Sequence, residues 1–256
     1  MQPAWLILPT YNEAENIEPF VRAVRAQLRE GDRILVVDDN SPDGTGAIAD
    51  RLASEVHGLE VLHRPGKQGL GPAYLAGFRR ALDGGAQLVL EMDSDFSHRP
   101  ADLPRLIAAS QDADLVLGSR YVPGGSVTDW GLVRRLVSRG GSWYARRVLG
   151  LPVRDLTGGF KCFRRAVLEH LDLDEVHADG YGFQIELTYC AVKAGFKVVE
   201  VPITFRDRRV GQSKMNARIA LEAVWKVPAL RRRRGALTFS KQSRTGASQW
   251  QETSQK

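Results

Sequence analysis

Two aspartates separated by one residue form the strongest candidate site in the sequence. Asp93 and Asp95 come shortly after the apolar run Leu88–Leu90. In an extended chain, residues i and i+2 project to the same side, so the two carboxylates are expected to converge. Close like charges repel unless a cation lies between them, and oxygen ligands suit Mg²⁺ or Mn²⁺. We therefore predict a metal site at Asp93 and Asp95, with Ser97 within reach as a further ligand. A solvated, Asp-rich turn is the alternative.

A scattered set of basic residues suggests a site that handles several phosphates. The set comprises Arg120, Arg134, Arg206, Arg208 and Lys214. Guanidinium groups bind phosphate oxygens in a bidentate manner, and a metal held by one or two carboxylates usually completes its shell with substrate phosphates. For any single arginine, an exposed charge or a structural ion pair is the alternative.

A second acidic pair, Asp38 and Asp39, follows another apolar run. A carboxylate at this place could accept hydrogen bonds from the N–H edge of a nucleobase, and an Asx turn is an equally good interpretation. The nearby spacing Gly44-x-Gly46-x-x-Ala49 resembles a dinucleotide-binding fingerprint. We reject that interpretation because three acids between strand and first glycine would repel a pyrophosphate.

The elements that must position these residues alternate along the first two thirds of the chain. Apolar runs predict strands at Trp5–Leu8, Arg33–Val37, Leu59–His63, Gln87–Met92 and Asp114–Gly118. Amphipathic patterns predict helices at Asn12–Leu28, Thr45–Val56, Pro72–Leu82 and Ala101–Ser110. This alternation predicts an α/β fold with a mostly parallel, Rossmann-like sheet and helices on both faces. Ligands in such folds bind at the carboxyl ends of the strands, where the acidic pairs lie.

The last third is interpreted as a mixed extension of the same domain. It includes predicted helices at Gly182–Ala194 and Ala217–Val227 and a predicted strand at Lys197–Phe205. We expect a single catalytic domain over residues 1–230 and a basic, disordered tail over residues 231–256. The tail carries the whole net charge of +6, since residues 1–230 hold equal numbers of acids and bases.

Composition excludes several classes of protein. The chain has 256 residues, 43% of them hydrophobic, and only two cysteines, so neither a disulfide framework nor a thiolate zinc site is expected. No apolar run approaches the length of a membrane span, and the amino terminus does not resemble a signal peptide. We expect a cytoplasmic protein, soluble or peripherally bound to a membrane.

The basic tail has three interpretations: a solvated chain end, a segment that binds an anionic membrane surface, or a segment that binds nucleic acid. No other feature of the sequence indicates nucleic-acid binding, so we favour the membrane among the binding interpretations.

The segment Trp130–Leu151 interleaves aliphatic and aromatic residues with five arginines. Such a pattern is typical of a helix or helical hairpin at a membrane interface. A helix packed on the core is the equally supported alternative.

Seven motifs in order along the chain resemble the family 2 glycosyltransferases of the GT-A fold, in particular the actinobacterial dolichyl-phosphate (polyprenol monophosphate) mannose synthases. The first four are Pro9-Thr10-Tyr11-Asn12-Glu13, Val37-Asp38-Asp39, Met92-Asp93-Ser94-Asp95 and Gly118-Ser119-Arg120-Tyr121. The later three are Leu156–Lys161, Gly180–Glu186 and Val201–Phe205, the last followed by Arg208, Gly211, Ser213 and Lys214.

The resemblance implies transfer of mannose from GDP-mannose to a polyprenyl monophosphate, with inversion at the anomeric carbon. The catalytic residues implied are Asp93, Asp95 and Arg120, with Mg²⁺ or Mn²⁺ on Asp93, Asp95 and Ser97. Some relatives carry glutamine at the place of Ser97. The implied donor-binding residues are Pro9, Tyr11, Glu13, Asp38, Asp39, Ser94, Arg208 and Lys214. The acceptor phosphate would be held by Arg120, Arg134 and Ser138.

The implied location is the cytoplasmic face of a membrane, to which the protein would bind peripherally, with or without a membrane-anchoring partner protein.

A transferase that uses UDP-glucose or UDP-N-acetylglucosamine is the alternative within the same class. A sugar-1-phosphate nucleotidyltransferase would normally carry a glycine-rich loop after the first strand, where this chain has Thr10-Tyr11-Asn12-Glu13. A binding subunit without activity is disfavoured by the intact Asp93 and Asp95.

Overall fold

The structure, a computed structural model, describes residues 3–176, 180–207, 225 and 227–232. Its strands are β1 (Ala4–Thr10), β2 (Arg33–Asp38), β3 (Leu59–His63), β4 (Leu88–Glu91), β5 (Leu115–Ser119), β6 (Ser126–Val127), β7 (Lys161–Arg164), β8 (Val198–Pro202) and β9 (Thr204–Phe205). Its helices are α1 (Ile17–Arg25), α2 (Thr45–Glu55), α3 (Leu70–Asp83), α4 (Leu103–Ala109), α5 (Leu132–Leu149), α6 (Arg165–His170) and α7 (Tyr181–Lys193).

A mostly parallel sheet forms the centre of the fold, as the alternation of strands and helices predicts. Its order among the described residues is β3-β2-β1-β4-β7-β5-β8. Only β7 runs antiparallel to its neighbours β4 and β5. The short strands β6 and β9 pair separately. The carboxyl ends of β1, β2, β4 and β5 therefore meet at one edge of the sheet.

Two apolar layers cover the sheet, because successive side chains of a strand point to opposite faces. In β1, Trp5 and Ile7 pack with α3 and α7 on one face, whereas Leu6 and Leu8 pack with α1, α2 and α4 on the other. At Gly77 of α3, an added Cβ would lie 2.4 Å from Cγ2 of Ile7, so the absence of a side chain lets this helix pack closely on the sheet.

Two predicted elements differ clearly from the observed ones, and a third lies almost wholly outside the described residues. The first helix begins at Ile17 rather than Asn12, because Asn12 adopts a left-handed conformation with φ +59° and the chain turns there. The predicted strand Lys197–Phe205 is interrupted at Ile203, after which β9 leaves the main sheet to pair with β6. The predicted helix Ala217–Val227 lies outside the described residues, apart from Trp225 and Val227.

Candidate active site

The predicted site residues from the first half of the chain gather at the carboxyl edge of the sheet. Thr10 at the end of β1 pairs in register with Asp38 at the end of β2. The acidic pair follows β4, and the Ser94 hydroxyl donates a hydrogen bond of 3.3 Å to the carbonyl oxygen of Pro9. This bond ties the loop after β4 to the end of β1.

Asp93 and Asp95 lie in a bent segment rather than an extended one, which corrects the geometry that the sequence suggested. β4 already ends at Glu91, and Phe96 takes a left-handed conformation with φ +61°. Asp95 is buried and its Oδ1 accepts a hydrogen bond of 2.9 Å from the backbone N–H of Ser97. Asp93 is half-buried, and the Tyr74 hydroxyl lies 3.4 Å from its Oδ1.

The donor set of this loop fits a hard divalent cation. The Ser97 hydroxyl oxygen is buried and has no hydrogen-bond partner among the described residues. At Gly159, an added Cβ would lie 4.0 Å from each carboxylate oxygen of Asp93, so the missing side chain keeps the space beside that carboxylate open. Two carboxylates and a hydroxyl are oxygen ligands of the kind that Mg²⁺ and Mn²⁺ prefer, and substrate phosphates or water would complete the shell.

Arg120 forms a buried, multiply bonded ion pair with Asp155. Its backbone N–H donates to Oδ2 of Asp155 over 2.9 Å, and its Nε and Nη2 donate to the two carboxylate oxygens over 2.7 Å each. Nη2 also donates to the Thr157 hydroxyl over 2.8 Å. Burial alone would raise the pKa of Asp155, but attraction and hydrogen bonds from Arg120 outweigh it and lower the pKa. Arg120 thus has a structural ion pair at the site, and its predicted contact with an acceptor phosphate stays a prediction.

Arg134 and Ser138 lie one turn apart on the inner face of α5. The Ser138 hydroxyl accepts a hydrogen bond of 2.7 Å from the Tyr121 hydroxyl. Nη1 of Arg134 donates to both oxygens of Asp207, over 2.9 and 2.8 Å, and its guanidinium carbon lies 4.2 Å from the centre of the Trp130 ring. This places the two predicted acceptor-site residues beside a hydroxyl and an indole.

The end of β2 is held by local hydrogen bonds. Asp38 accepts bonds from the Ser41 hydroxyl at 2.5 Å and the Ser41 backbone N–H at 3.2 Å. That N–H lies three residues ahead rather than the two of an Asx turn, but the carboxylate does hold the turn that follows β2. Asp39 accepts a bond of 2.5 Å from Nη1 of Arg64, and both side chains are buried. Their predicted contacts with a nucleobase stay predictions.

Tyr11 and Glu13 lie in the turn that follows β1. The ammonium of Lys67 lies 4.0 Å from the centre of the half-buried Tyr11 ring. The Glu13 backbone N–H donates to the Thr45 hydroxyl over 2.9 Å, and its carboxylate accepts a bond of 2.8 Å from the Asn16 amide. Arg208 and Lys214, the two donor-site residues predicted in the last third, lie outside the described residues.

A fully buried ion pair lies at the end of β4, just before the loop that carries Asp93 and Asp95 (the acidic loop). Lys161 on β7 is in register with Glu91 on β4, and their charged groups are 3.4 Å apart. Lys161 also donates to the side chain and backbone oxygens of Gln184. Burial raises the pKa of Glu91 and lowers that of Lys161, against their mutual attraction.

Sequence reasoning missed several residues that complete this edge, namely Tyr74, Glu91, Tyr121, Trp130, Asp155, Lys161, Gln184 and Asp207. Tyr121, Lys161 and Gln184 lie within motifs that carried the resemblance, so their positions were marked although their contacts were not. Asp155 immediately precedes one of those motifs. Nothing in the local pattern around Asp207 indicates that it pairs with a residue of α5.

A comparison with protein-family models decides the family of this chain. Residues 5–172 match the model described as glycosyl transferase family 2, which is more than half of the 256 residues. The chain is a family 2 glycosyltransferase. It is therefore an enzyme that transfers a sugar, as the motifs predicted, and the edge described above is its candidate active site.

Two curated relatives resemble this glycosyltransferase over most of their length. The undecaprenyl-phosphate mannosyltransferase of Micrococcus luteus is 48% identical over 218 residues, covering 85% of this chain and 89% of the relative. The polyprenol monophosphomannose synthase of Mycolicibacterium smegmatis is 49% identical over 228 residues, covering 88% of this chain and 86% of the relative.

Solved structures share the fold of this glycosyltransferase at low identity. Glucosyl-3-phosphoglycerate synthase from Mycobacterium tuberculosis, in complex with Mn²⁺, UDP and glucosyl-3-phosphoglycerate, superposes with a TM-score of 0.67 at 20% identity. The match covers 90% of this chain and 80% of that one. The same enzyme with Mg²⁺ and UDP gives a TM-score of 0.66 at 21% identity, over 90% and 79% of the two chains. The predicted GT-A fold is thereby confirmed.

The outer face of α5 gives the glycosyltransferase an exposed apolar surface. The segment is one helix, so the hairpin is wrong, and the alternative of core packing holds only for its inner side, where small residues such as Ser142 and Ala145 are buried. Five apolar side chains point outward, between 44% and 76% exposed, at Leu132, Val133, Leu136, Val137 and Trp143, whereas Leu149 at the carboxyl end of the helix is buried in the core. Exposed arginines lie among them at positions 135, 139, 146 and 147. Among the described residues, no helix is long and apolar enough to cross a bilayer.

Proposed function

We propose that this glycosyltransferase transfers mannose from GDP-mannose to a polyprenyl monophosphate, with inversion at the anomeric carbon. The observation that carries the proposal is the pair of curated relatives that bear polyprenyl-phosphate mannosyltransferase names at 48% and 49% identity. Groups of compatible chemistry support the proposal: carboxylate and hydroxyl oxygens follow β4, and the Arg134 guanidinium and the Ser138 hydroxyl lie on the inner face of α5.

The donor would bind across the ends of β1, β2 and β4. Pro9, Tyr11 and Glu13 follow β1 and would contact the nucleoside together with Asp38 or Asp39. Asp93, Asp95 and Ser97 would hold Mg²⁺ or Mn²⁺ against the diphosphate, and the cation would stabilise the charge of the departing GDP. Ser94 fixes this loop through its bond to Pro9. Arg208 and Lys214 would approach the phosphates from the segment that follows β9.

The acceptor phosphate would lie between the acidic loop and α5. Arg134 and Ser138 would hold its oxygens, and Arg120 would shape this wall through its buried pair with Asp155 or contact the phosphate itself. A phosphate monoester is already anionic near neutral pH, since its second pKa is about 6, so its oxygen needs no general base. Attack in line with the departing diphosphate inverts the anomeric carbon.

The lipid acceptor requires contact with a membrane, and the outer face of α5 would provide it. Apolar side chains beside arginines suit the interface of an anionic bilayer. Each basic residue near such a surface contributes about 1 kcal/mol, which salt screens. We place the enzyme peripherally on the cytoplasmic face, where the basic tail or a membrane-anchoring partner protein would add to the attachment.

The deciding experiment supplies labelled GDP-mannose, a polyprenyl phosphate and Mg²⁺ or Mn²⁺, with and without chelator. We expect chloroform-soluble mannose with β configuration, made only when metal is present. Asp95→Asn should lower turnover at least about a hundredfold, since a ligand of the charge-stabilising cation is lost. The matched control Asp112→Asn removes an exposed acid far from the acidic loop and should leave turnover unchanged.

Parallel reactions with UDP-glucose and UDP-N-acetylglucosamine test the choice of donor. Faster transfer from either one would overturn the assignment of GDP-mannose while keeping the acceptor. Equal turnover by Asp95→Asn and the wild type would refute the role of the acidic pair. A product with retained configuration would refute direct attack by the acceptor phosphate.

A further inference from the structure

Two buried hydrogen-bond donors beside the predicted acceptor site have no acceptor among the described residues. They are Nε1 of Trp130 and Nε of Arg134. Trp130 is 7% exposed, and the guanidinium carbon of Arg134 lies 4.2 Å from the centre of its ring. Leaving a buried donor unpaired costs free energy, so a ligand that supplied an acceptor to both of these neighbouring side chains would be stabilised there.

The surroundings of Trp130 define the charge of that ligand. An indole N–H and a guanidinium N–H can only donate, so the ligand must be a hydrogen-bond acceptor. The Arg120 guanidinium carbon lies 5.7 Å from the Trp130 ring centre, and the Phe205 ring lies 5.3 Å away edge-on. Both guanidinium groups are already paired, with Asp155 and Asp207, so the site carries little excess charge. A guanidinium N–H nevertheless forms a stronger hydrogen bond with an anionic acceptor than with a neutral one, which favours an anion here.

Arg134 can bind this anion without giving up its present partner. Both of the hydrogen bonds that Arg134 donates to Asp207 come from Nη1. Nε lies at a different position on the planar guanidinium, which presents five N–H donors in a fixed fork. The ion pair with Asp207 therefore holds the guanidinium in place over Trp130 while Nε stays available to a second group.

We propose that the indole N–H of Trp130 and the Nε–H of Arg134 together bind the phosphate of the lipid acceptor, so that Trp130 is an acceptor-binding residue of this enzyme. The inference rests on the proposed function for the identity of the acceptor. It adds a neutral donor to the predicted set of Arg120, Arg134 and Ser138. The rigid indole has only two side-chain torsions, so it orients the phosphate at low cost in conformational entropy.

The test compares Trp130→Phe with the wild type on a short, water-soluble isoprenyl monophosphate, which removes membrane binding from the kinetics. Phenylalanine keeps an aromatic ring under Arg134 and loses only the N–H donor and part of the ring. We expect KM for the acceptor to rise about tenfold, because a hydrogen bond to a charged group is lost. KM for the nucleotide sugar and kcat should stay within twofold. The matched control Trp225→Phe makes the same change at an exposed tryptophan and should alter none of these constants.

A direct binding measurement accompanies the kinetics. The indole N–H resonance that is absent from the spectrum of Trp130→Phe should move when the isoprenyl phosphate, or inorganic phosphate alone, is added to the wild type. An unmoved resonance, or an unchanged acceptor KM in Trp130→Phe, would overturn the inference and leave water as the partner of this N–H. If Trp130→Phe does not fold, Arg134→Lys, which keeps the charge but lacks Nε, must weaken phosphate binding to the same degree.

Failure of the inference is distinguishable from failure of the proposed function. If the wild type makes no mannolipid at all, the proposed acceptor is wrong, whereas the phosphate titration still reports on the anion site. If the wild type is active and Trp130→Phe has the same acceptor KM, only the role of Trp130 is wrong.

Discussion

Neutralising Asp155 should destabilise this glycosyltransferase far more than neutralising an exposed acid. Asp155→Asn keeps the shape of the side chain and removes its charge, which leaves the Arg120 guanidinium buried without a counterion. The side chains of Arg120 and Asp155 are 5% and 0% exposed, so water cannot replace the lost partner. Removing one member of a buried pair costs about 3–5 kcal/mol.

The expected change in melting temperature follows from the size of the domain. For domains of about 150–250 residues, each kcal/mol shifts Tm by roughly 2–4 °C, so Asp155→Asn should lower Tm by about 6–20 °C. The matched control is Asp174→Asn, which breaks the ion pair with Arg79, where the side chains are 85% and 47% exposed. Exposed pairs contribute about 0–1 kcal/mol, so this variant should lose no more than roughly 4 °C.

Circular dichroism melts of the three proteins check this reasoning, and pH provides a second test. The folded pKa of Asp155 lies below its ordinary value of 3.8, because Arg120 more than offsets burial. Its contribution is therefore fully present above that value and is lost as pH falls through the folded pKa. The gap in Tm between wild type and Asp155→Asn should stay constant from about pH 5 to 8 and narrow in acid. Equal losses in Asp155→Asn and Asp174→Asn would refute the argument.

Two further predictions concern the buried pair of Lys161 and Glu91 and the exposed apolar face of α5. Lys161→Met should cost about 3–5 kcal/mol in unfolding free energy by leaving Glu91 unpaired, whereas Glu91→Leu combined with Lys161→Met should restore most of that loss, as measured by urea unfolding. A double variant no more stable than Lys161→Met would contradict this account of the pair. Leu136→Glu, on the outer face of α5, should weaken binding to anionic vesicles about tenfold or more in a sedimentation assay, with turnover on a water-soluble acceptor unchanged. Unaltered vesicle binding would show that the bilayer contacts another surface.

The central strands could be predicted from the sequence because burial on both faces makes them nearly continuous apolar runs. The central strand β2, observed at Arg33–Asp38, was predicted to within one residue. The edge strand β3 is only partly buried, yet it was predicted at its observed bounds, Leu59–His63. The antiparallel insertion of β7 between β4 and β5 could not be predicted. It depends on pairing between segments far apart in sequence, on which periodicity carries no information.

The candidate site was predictable in its composition and only partly in its geometry. Residue types and order identified Asp93, Asp95 and Ser97, but the extended arrangement expected for them was wrong because the chain bends after β4. The carboxylates that pair with the predicted basic residues were missed. Asp155 lies 35 positions from Arg120 and Asp207 lies 73 from Arg134, and no local pattern links residues so far apart.

These pairings determine how an anionic substrate can be recognised at this edge. Arg64, Arg120, Arg134 and Lys161 each contact a carboxylate, so the site offers little excess positive charge from its described residues. Under the proposed function, phosphate recognition would then rest on the placement of individual donors and on a divalent cation at the acidic pair, rather than on a general positive field. The ion pairs contribute by fixing where the remaining donors point. Excess charge is concentrated instead on the exposed arginines of α5 and in the basic tail, where it would act on the lipid surface rather than on the reacting groups.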